Sequence, residues 1–118
     1  MAPTTMVGQR TTTTPQGRNS GSDGPPMKMC EFLSTLAGTT YLARGSVHSV
    51  KNIQKVKRYI REAFEVQLNN EGFSMVEILS MCPSNWKLSP VDSCHYIENE
   101  MTQFFPLGVI KERQAEPS

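Results

Sequence analysis

Two short apolar runs, 39–47 and 73–81, bracket one long stretch, 50–68, whose apolar residues recur at helical spacing. Ile53, Val56, Ile60, Ala63, Phe64 and Gln67 share one side of that stretch, all but the last apolar. Lys51, Lys55, Lys57, Arg58 and Arg61 take the other, which reads as a solvated face, with a phosphate-binding surface as the alternative. Arg58/Glu62 and Arg61/Glu65 stand four apart, the spacing of helix-supporting ion pairs. Ser49 is placed to cap the helix, and Asn69-Asn70-Glu71-Gly72 to end it. Strand, helix, strand in this order is a βαβ unit, which predicts parallel strands joined by a right-handed crossover. The expected fold class is therefore α/β.

The flanking segments are less regular. Residues 1–26 are rich in Thr, Ser, Gly and Pro and carry too little apolar surface to order themselves. Two readings stand: a disordered tail, or a long loop that needs other surfaces or a ligand to become ordered. Residues 27–110 are the expected partial α/β domain, and 111–118 a charged, frayed tail. A helix is expected over 27–37, with Met29, Phe32, Leu33 and Leu36 inward and Gly38 as a left-handed stop. In the strand 39–47, Arg44-Gly45 is unusual for a buried position, and Gly45 suggests a bulge or a close backbone approach. Ser89-Pro90-Val91-Asp92 opens a further helix to about residue 103 on Val91, Cys94, Ile97 and Met101. Phe104 to Val109 reads as a short apolar finish.

The candidate chemistry is sparse. The run 73–81 leads straight into Cys82 and Pro83, and ligands of open α/β sheets sit beyond the carboxyl ends of strands. Cys82 is thus either a ligand-holding thiol or a small buried hydrophobe. Three cysteines at irregular spacing, with no CxxC, argue against a disulfide framework and suit a reducing cytoplasm. Cys30 and Cys94 lie on expected apolar helix faces and read as core. His48 and His95 stand alone, so no catalytic residue is assigned. With 118 residues and a net charge of +1, the chain gives no argument for nucleic acid as a partner, and no run is long enough for a membrane span.

Several of these segments resemble β subunits of the 2-oxoacid:ferredoxin oxidoreductases, of the 2-oxoisovalerate and 2-oxoglutarate type. The likeness runs through Met1-Ala2-Pro3-Thr4-Thr5, Val7-Gly8-Gln9, Thr12-Thr13-Thr14-Pro15 and Gly17-Arg18. It continues at Tyr41-Leu42-Ala43-Arg44-Gly45-Ser46-Val47-His48, Lys51-Asn52-Ile53, Ala63-Phe64-Glu65 and Gly72-Phe73-Ser74. It is strongest at Cys82-Pro83-Ser84-Asn85-Trp86 and Pro106-Leu107-Gly108-Val109.

The resemblance implies a partial thiamine-diphosphate-binding fold and a chain equivalent to the carboxyl-terminal part of such a subunit, less than half of it. It implies thiamine diphosphate, magnesium and a four-iron four-sulfur cluster in the complete enzyme, with none held tightly by this chain alone. Met1, Ala2, Thr4 and Thr5 would lie beside the cofactor loop, and Cys82 would be a cluster ligand. Arg44 would meet an anionic group or make a surface pair. The implied partners are the other subunits, ferredoxin, a 2-oxoacid and CoA. The family's Gly-Asp-type magnesium motif, its Thr-Gly-Gly-Gln stretch and three further cluster cysteines have no counterpart in this chain. That departure keeps open a non-catalytic remnant or interaction module docking on oxidoreductase subunits.

Overall fold

The computed structural model describes residues 1–113. It is α/β, built on a three-stranded mixed sheet of order β2-β1-β3. Strand β1 is Thr39–Ser46, helix α2 Val50–Leu68 and strand β2 Phe73–Leu79. The β1 and β2 strands pair in parallel, as the βαβ reading requires. Strand β3, Gly108–Lys111, runs antiparallel to β1 and was not expected as a strand. Its length of four residues gives too little alternation to read.

As the central strand, β1 is covered on both faces, and all but Thr40 of its residues are buried. Side chains on a strand alternate between faces. Tyr41 and Ala43 meet Val66 of α2, with Tyr59 and Ala63 alongside. Gly45 continues that side, where a Cβ would stand 2.4 Å from Val56 Cγ2. The glycine therefore serves a close approach of helix to strand, not a bulge; the register shifts of β1 fall at Thr39/Tyr41 and Leu42/Ala43. The buried seam of α2 is Val56, Tyr59, Ala63 and Val66, rotated from the expected side. Phe64 is 65% exposed, because the small Ala43 and Gly45 draw in the neighbouring side of the helix. Ser49 caps α2, its hydroxyl accepting from Asn52 N at 3.3 Å.

Helix α1 spans only Met29–Ser34, shorter than expected, and Gly38 is not left-handed. Cys30 is fully buried, whereas Met29, Phe32 and Leu36 are exposed. The reason is Arg44, on the α1 side of β1: α1 turns Glu31 toward it instead of an apolar side. The second helical region is α3, Pro83–Trp86, then α4, Pro90–Tyr96, a π-turn at Ile97–Met101 and α5, Thr102–Phe104. Ser89 caps α4 at Asp92 N, 3.1 Å away. Ile97, Met101 and Phe105 bury against Leu79, while Val91 stays exposed.

Glu62 and Glu65 take Arg113 as partner in place of the expected pairs along the helix. Arg113 also binds Glu71, so the chain up to that residue is tied down and not frayed. The remainder of the expected tail, 114–118, lies outside the described residues. No helix among the described residues is long and apolar enough to cross a membrane.

Candidate functional site at the carboxyl end of the sheet

The polar leading segment has a defined course, and Arg18 explains it. Its side chain is buried, with 8% exposure, yet among the described residues it faces no carboxylate. Nη1 donates to the carbonyls of Ala2, Pro3 and Thr5 at 3.2, 3.2 and 3.0 Å. Nε donates to Gly24 O at 2.8 Å, and Nη2 to Asp23 O and Pro25 O at 3.4 and 3.0 Å. The five N–H groups of one guanidinium are thereby shared among carbonyls from two separated stretches. Gly17 and Gly8 take positive φ, +84° and +81°, and a Cβ on Gly17 would press on Gly8 O at 3.1 Å. The backbone of Arg18 closes the loop, its carbonyl accepting from Gly8 N at 2.9 Å. A segment short of apolar side chains is ordered here by hydrogen bonds, the route the composition argument left out.

This loop reaches the sheet at the end of β2. Met6 packs against the cluster of Leu79, Ile97, Met101 and Phe105. Thr12 N donates to Asn85 O at 3.0 Å, and the two side chains also hydrogen bond. Asn85 lies in α3, the turn that Cys82 opens: Trp86 N donates to Cys82 O at 2.9 Å. The sequence-predicted loop and the sequence-predicted cysteine are therefore joined through Thr12 and Asn85.

Cys82 is exposed, three positions beyond the end of β2. The other thiols differ. Cys30 points to Ala43 O at 3.6 Å, and burial, followed by the nearby Glu77, pushes its pKa up to about 12. Cys94 is half-buried against Met81, sulfur to sulfur 3.4 Å. Among the described residues no group of three or more His, Cys, Asp or Glu is placed to hold a metal ion. A single accessible cysteine suits iron–sulfur ligation only as one donor of a set completed elsewhere.

Met1 and Ala2 are exposed, Thr4 is half-buried and Thr5 is buried, its N–H on Ala2 O at 3.1 Å. Arg18 engages the carbonyls of Ala2, Pro3 and Thr5, which fixes the backbone of this stretch. In the same loop, Thr14 Oγ1 is buried without a partner, a polar atom with capacity for one.

Arg44, open to either an external anion or a surface pair from sequence, does neither. It is fully buried and binds Glu31 through both terminal nitrogens at 2.7 and 2.9 Å. Glu77, its register partner on β2, lies at 3.3 Å, and Pro106 O at 3.2 Å. Burial alone would lower its pKa, but the Glu31 hydrogen bond and Glu77 together hold it above the usual value. The Arg44 hydrogen bond holds Glu31 below the usual carboxylate range. Arg44 thus belongs to the scaffold. At the end of β1, buried Ser46 Oγ meets His48 Nδ1 at 2.6 Å, and Asn52 Nδ2 lies 3.4 Å from His48 Nε2. Among the described residues no carboxylate joins them, and His95 is exposed.

Sequence reasoning met Arg18, Thr12 and Asn85 only as parts of the resemblance and gave them no role. The signals for Arg18 were that likeness and its place after a turn glycine, since carbonyl acceptors leave no mark in a sequence.

Comparison with known proteins adds a finding that geometry alone does not supply. No family model matches the chain, and no solved structure does. Over 98% of its length it is 36% identical to the ketoisovalerate oxidoreductase subunit VorA of Methanothermobacter marburgensis. Against the subunit of the same name from Methanothermobacter thermautotrophicus the figure is 37%. The chain resembles subunits of 2-oxoacid oxidoreductases along nearly its whole length. Over 83% of it, the 2-oxoglutarate synthase subunit KorB of Archaeoglobus fulgidus is 29% identical. The chain spans about a quarter of the length of the two ketoisovalerate relatives, 24% of each.

Proposed function

We propose that this chain is a segment of a 2-oxoacid:ferredoxin oxidoreductase, equivalent to the carboxyl-terminal part of its thiamine-diphosphate-binding β subunit, working in the cytoplasm. The observation that carries this reading is similarity over 98% of the chain to ketoisovalerate oxidoreductase subunits. The overall reaction joins the acyl group of a 2-oxoacid to CoA. It releases carbon dioxide and one proton, and passes two electrons to ferredoxin. Thiamine diphosphate with magnesium supplies the electron sink for decarboxylation, and a four-iron four-sulfur cluster carries the electrons away.

This chain's own part is to hold and shape. Cys82, exposed at the strand end, supplies one thiolate to the cluster, with the other ligands coming from elsewhere in the assembly. Met1, Ala2, Thr4 and Thr5 form the wall beside the cofactor, and Thr14 Oγ1 is a free polar atom in the same loop. Arg44 keeps the sheet together beneath them.

The test is expression of the chain with the remaining subunit segments. The assembled complex is expected to show cluster absorbance and 2-oxoacid-dependent dye reduction, and Cys82→Ser to lose most of both. Full cluster content in Cys82→Ser removes the ligand assignment. The chain alone is expected to be inactive.

A second reading, a non-catalytic module that docks on oxidoreductase subunits, draws on the outer edge strand β2. Phe73 and Ile78 are exposed there, and Phe64 and Leu68 are exposed on α2. Binding to the other subunits without any gain of activity would favour it.

A further inference from the structure

Among the described residues, Arg18 is one of two arginines with less than a tenth of their surface exposed, and the one of the two whose charge no described carboxylate answers. An unanswered buried guanidinium is costly unless its donors are met. They are met by six carbonyls, which divide evenly. Ala2, Pro3 and Thr5 precede the loop, and Asp23, Gly24 and Pro25 follow it. The two stretches are tied once more by Met27 N on Pro3 O, 2.8 Å. Between them the chain travels out, turns at Thr11 and Thr14, whose backbones bond to each other at 3.1 Å, and touches Asn85. The guanidinium is thus the clasp of a loop whose base is 2–5 and whose tip rests on the turn opened by Cys82.

We infer that Arg18 is a positioning residue that sets, through one rigid loop, the relative placement of the 1–5 stretch and the Cys82 turn. The inference rests on the functional reading above for what those two segments hold. Arg18 touches neither cofactor nor substrate and acts through the carbonyls it gathers. The fork matters more than the charge. Lysine keeps the charge but offers three donors from one point, which cannot serve two stretches on opposite sides.

The experiment uses the chain within its assembled oxidoreductase complex and compares wild type, Arg18→Met, Arg18→Lys and Thr12→Val. The first readout is amide hydrogen exchange. Arg18→Met is expected to speed exchange at Gly8, Gly17 and Met27 at least tenfold while the amides of β1 stay protected. Kinetics form the second readout. The thiamine diphosphate concentration for half-maximal activity is expected to rise about tenfold or more, with kcat at saturating cofactor within about threefold. Arg18→Lys is expected to fall with Arg18→Met, and Thr12→Val to shift in the same direction by a smaller factor.

Wild-type exchange and cofactor dependence in Arg18→Met overturn the inference. Wild-type behaviour of Arg18→Lys overturns the role of the fork. If Arg18→Met does not assemble, Arg18→Lys and Thr12→Val decide the matter by the same two readouts. A wild-type complex with no 2-oxoacid-dependent activity counts against the functional reading, and the exchange data then still decide whether Arg18 clasps the loop.

Discussion

The leading loop and the βαβ unit each enclose a buried arginine, and the terminal nitrogens of the two are met by opposite means, Nε of Arg44 having no partner. Arg44 sits in the central strand against two carboxylates and the ring of Phe105, whose centroid is 5.2 Å from Cζ. Arg18 sits in a loop poor in apolar residues and is met by carbonyls. The α/β unit is held by apolar burial and a strand ladder, to which an ion pair has been added. In the loop, the guanidinium itself is the core. Lack of apolar side chains argues against a hydrophobic core, and it does not by itself argue against order.

The contrast can be broken most severely at Arg44. Removing one partner of a fully buried ion pair costs about 3–5 kcal/mol, and less where the stranded charge reaches water, as Glu31 does with 36% of its side chain exposed. Arg44→Met is therefore expected to destabilise the sheet, and with it the loop that leans on Leu79. Circular dichroism during urea denaturation measures this, and a midpoint equal to wild type would deny Arg44 its scaffold role. The expected asymmetry is that losing Arg44 takes both regions, whereas losing Arg18 frees only the loop.

Acid separates the regions less violently. Arg44 holds the Glu31 carboxyl below its ordinary pKa of 4.5, and Arg113 does the same for Glu71. A carboxylate with a depressed folded-state pKa stabilises the fold above its unfolded pKa. That contribution is lost as pH falls through the folded value. Amide protection in β1 and at the end of α2 is thus expected to decline below about pH 4.5. The acceptors around Arg18 do not titrate in this range, so loop amides should follow the sheet rather than precede it. Hydrogen exchange at stepped pH reports the order, and earlier loss in the loop would contradict the carbonyl account.

The smallest effect tests the α/β half alone. Ser49→Ala removes the cap of α2 and is expected to cost about 1 kcal/mol in thermal unfolding, as N-cap losses typically do. Loop exchange should be unchanged, and a simultaneous change there would mean the two regions are not separable.

What could be read in advance follows the same division. The βαβ unit was legible because its signals are side-chain periodicities. Val50–Leu68 emerged with its expected bounds, and Ser49 and Ser89 cap as their positions promised. The inward side of α2 was misjudged, since small residues on the facing strand choose the seam and do not appear in the helix's own pattern. The short α1 was misread for a similar reason. Arg44 demanded Glu31 from it, a tertiary requirement with no local trace. Strand β3 and the course of residues 1–26 escaped because their partners are main-chain groups, which every residue carries alike. At the candidate site the place of Cys82, after a strand and before a proline, was legible, whereas its link to the loop through Thr12 and Asn85 was not.

The pinned backbone at Cys82 leaves its sulfur little choice. With its carbonyl engaged as the acceptor of Trp86 N and a proline ring following, only the rotation about Cα–Cβ stays free. That torsion has three staggered stations, so the sulfur can swing among three points of a small circle and reach nothing between them. Whatever approaches that sulfur finds it at one of those points, so the anchored backbone, more than the thiol, fixes where it can be reached.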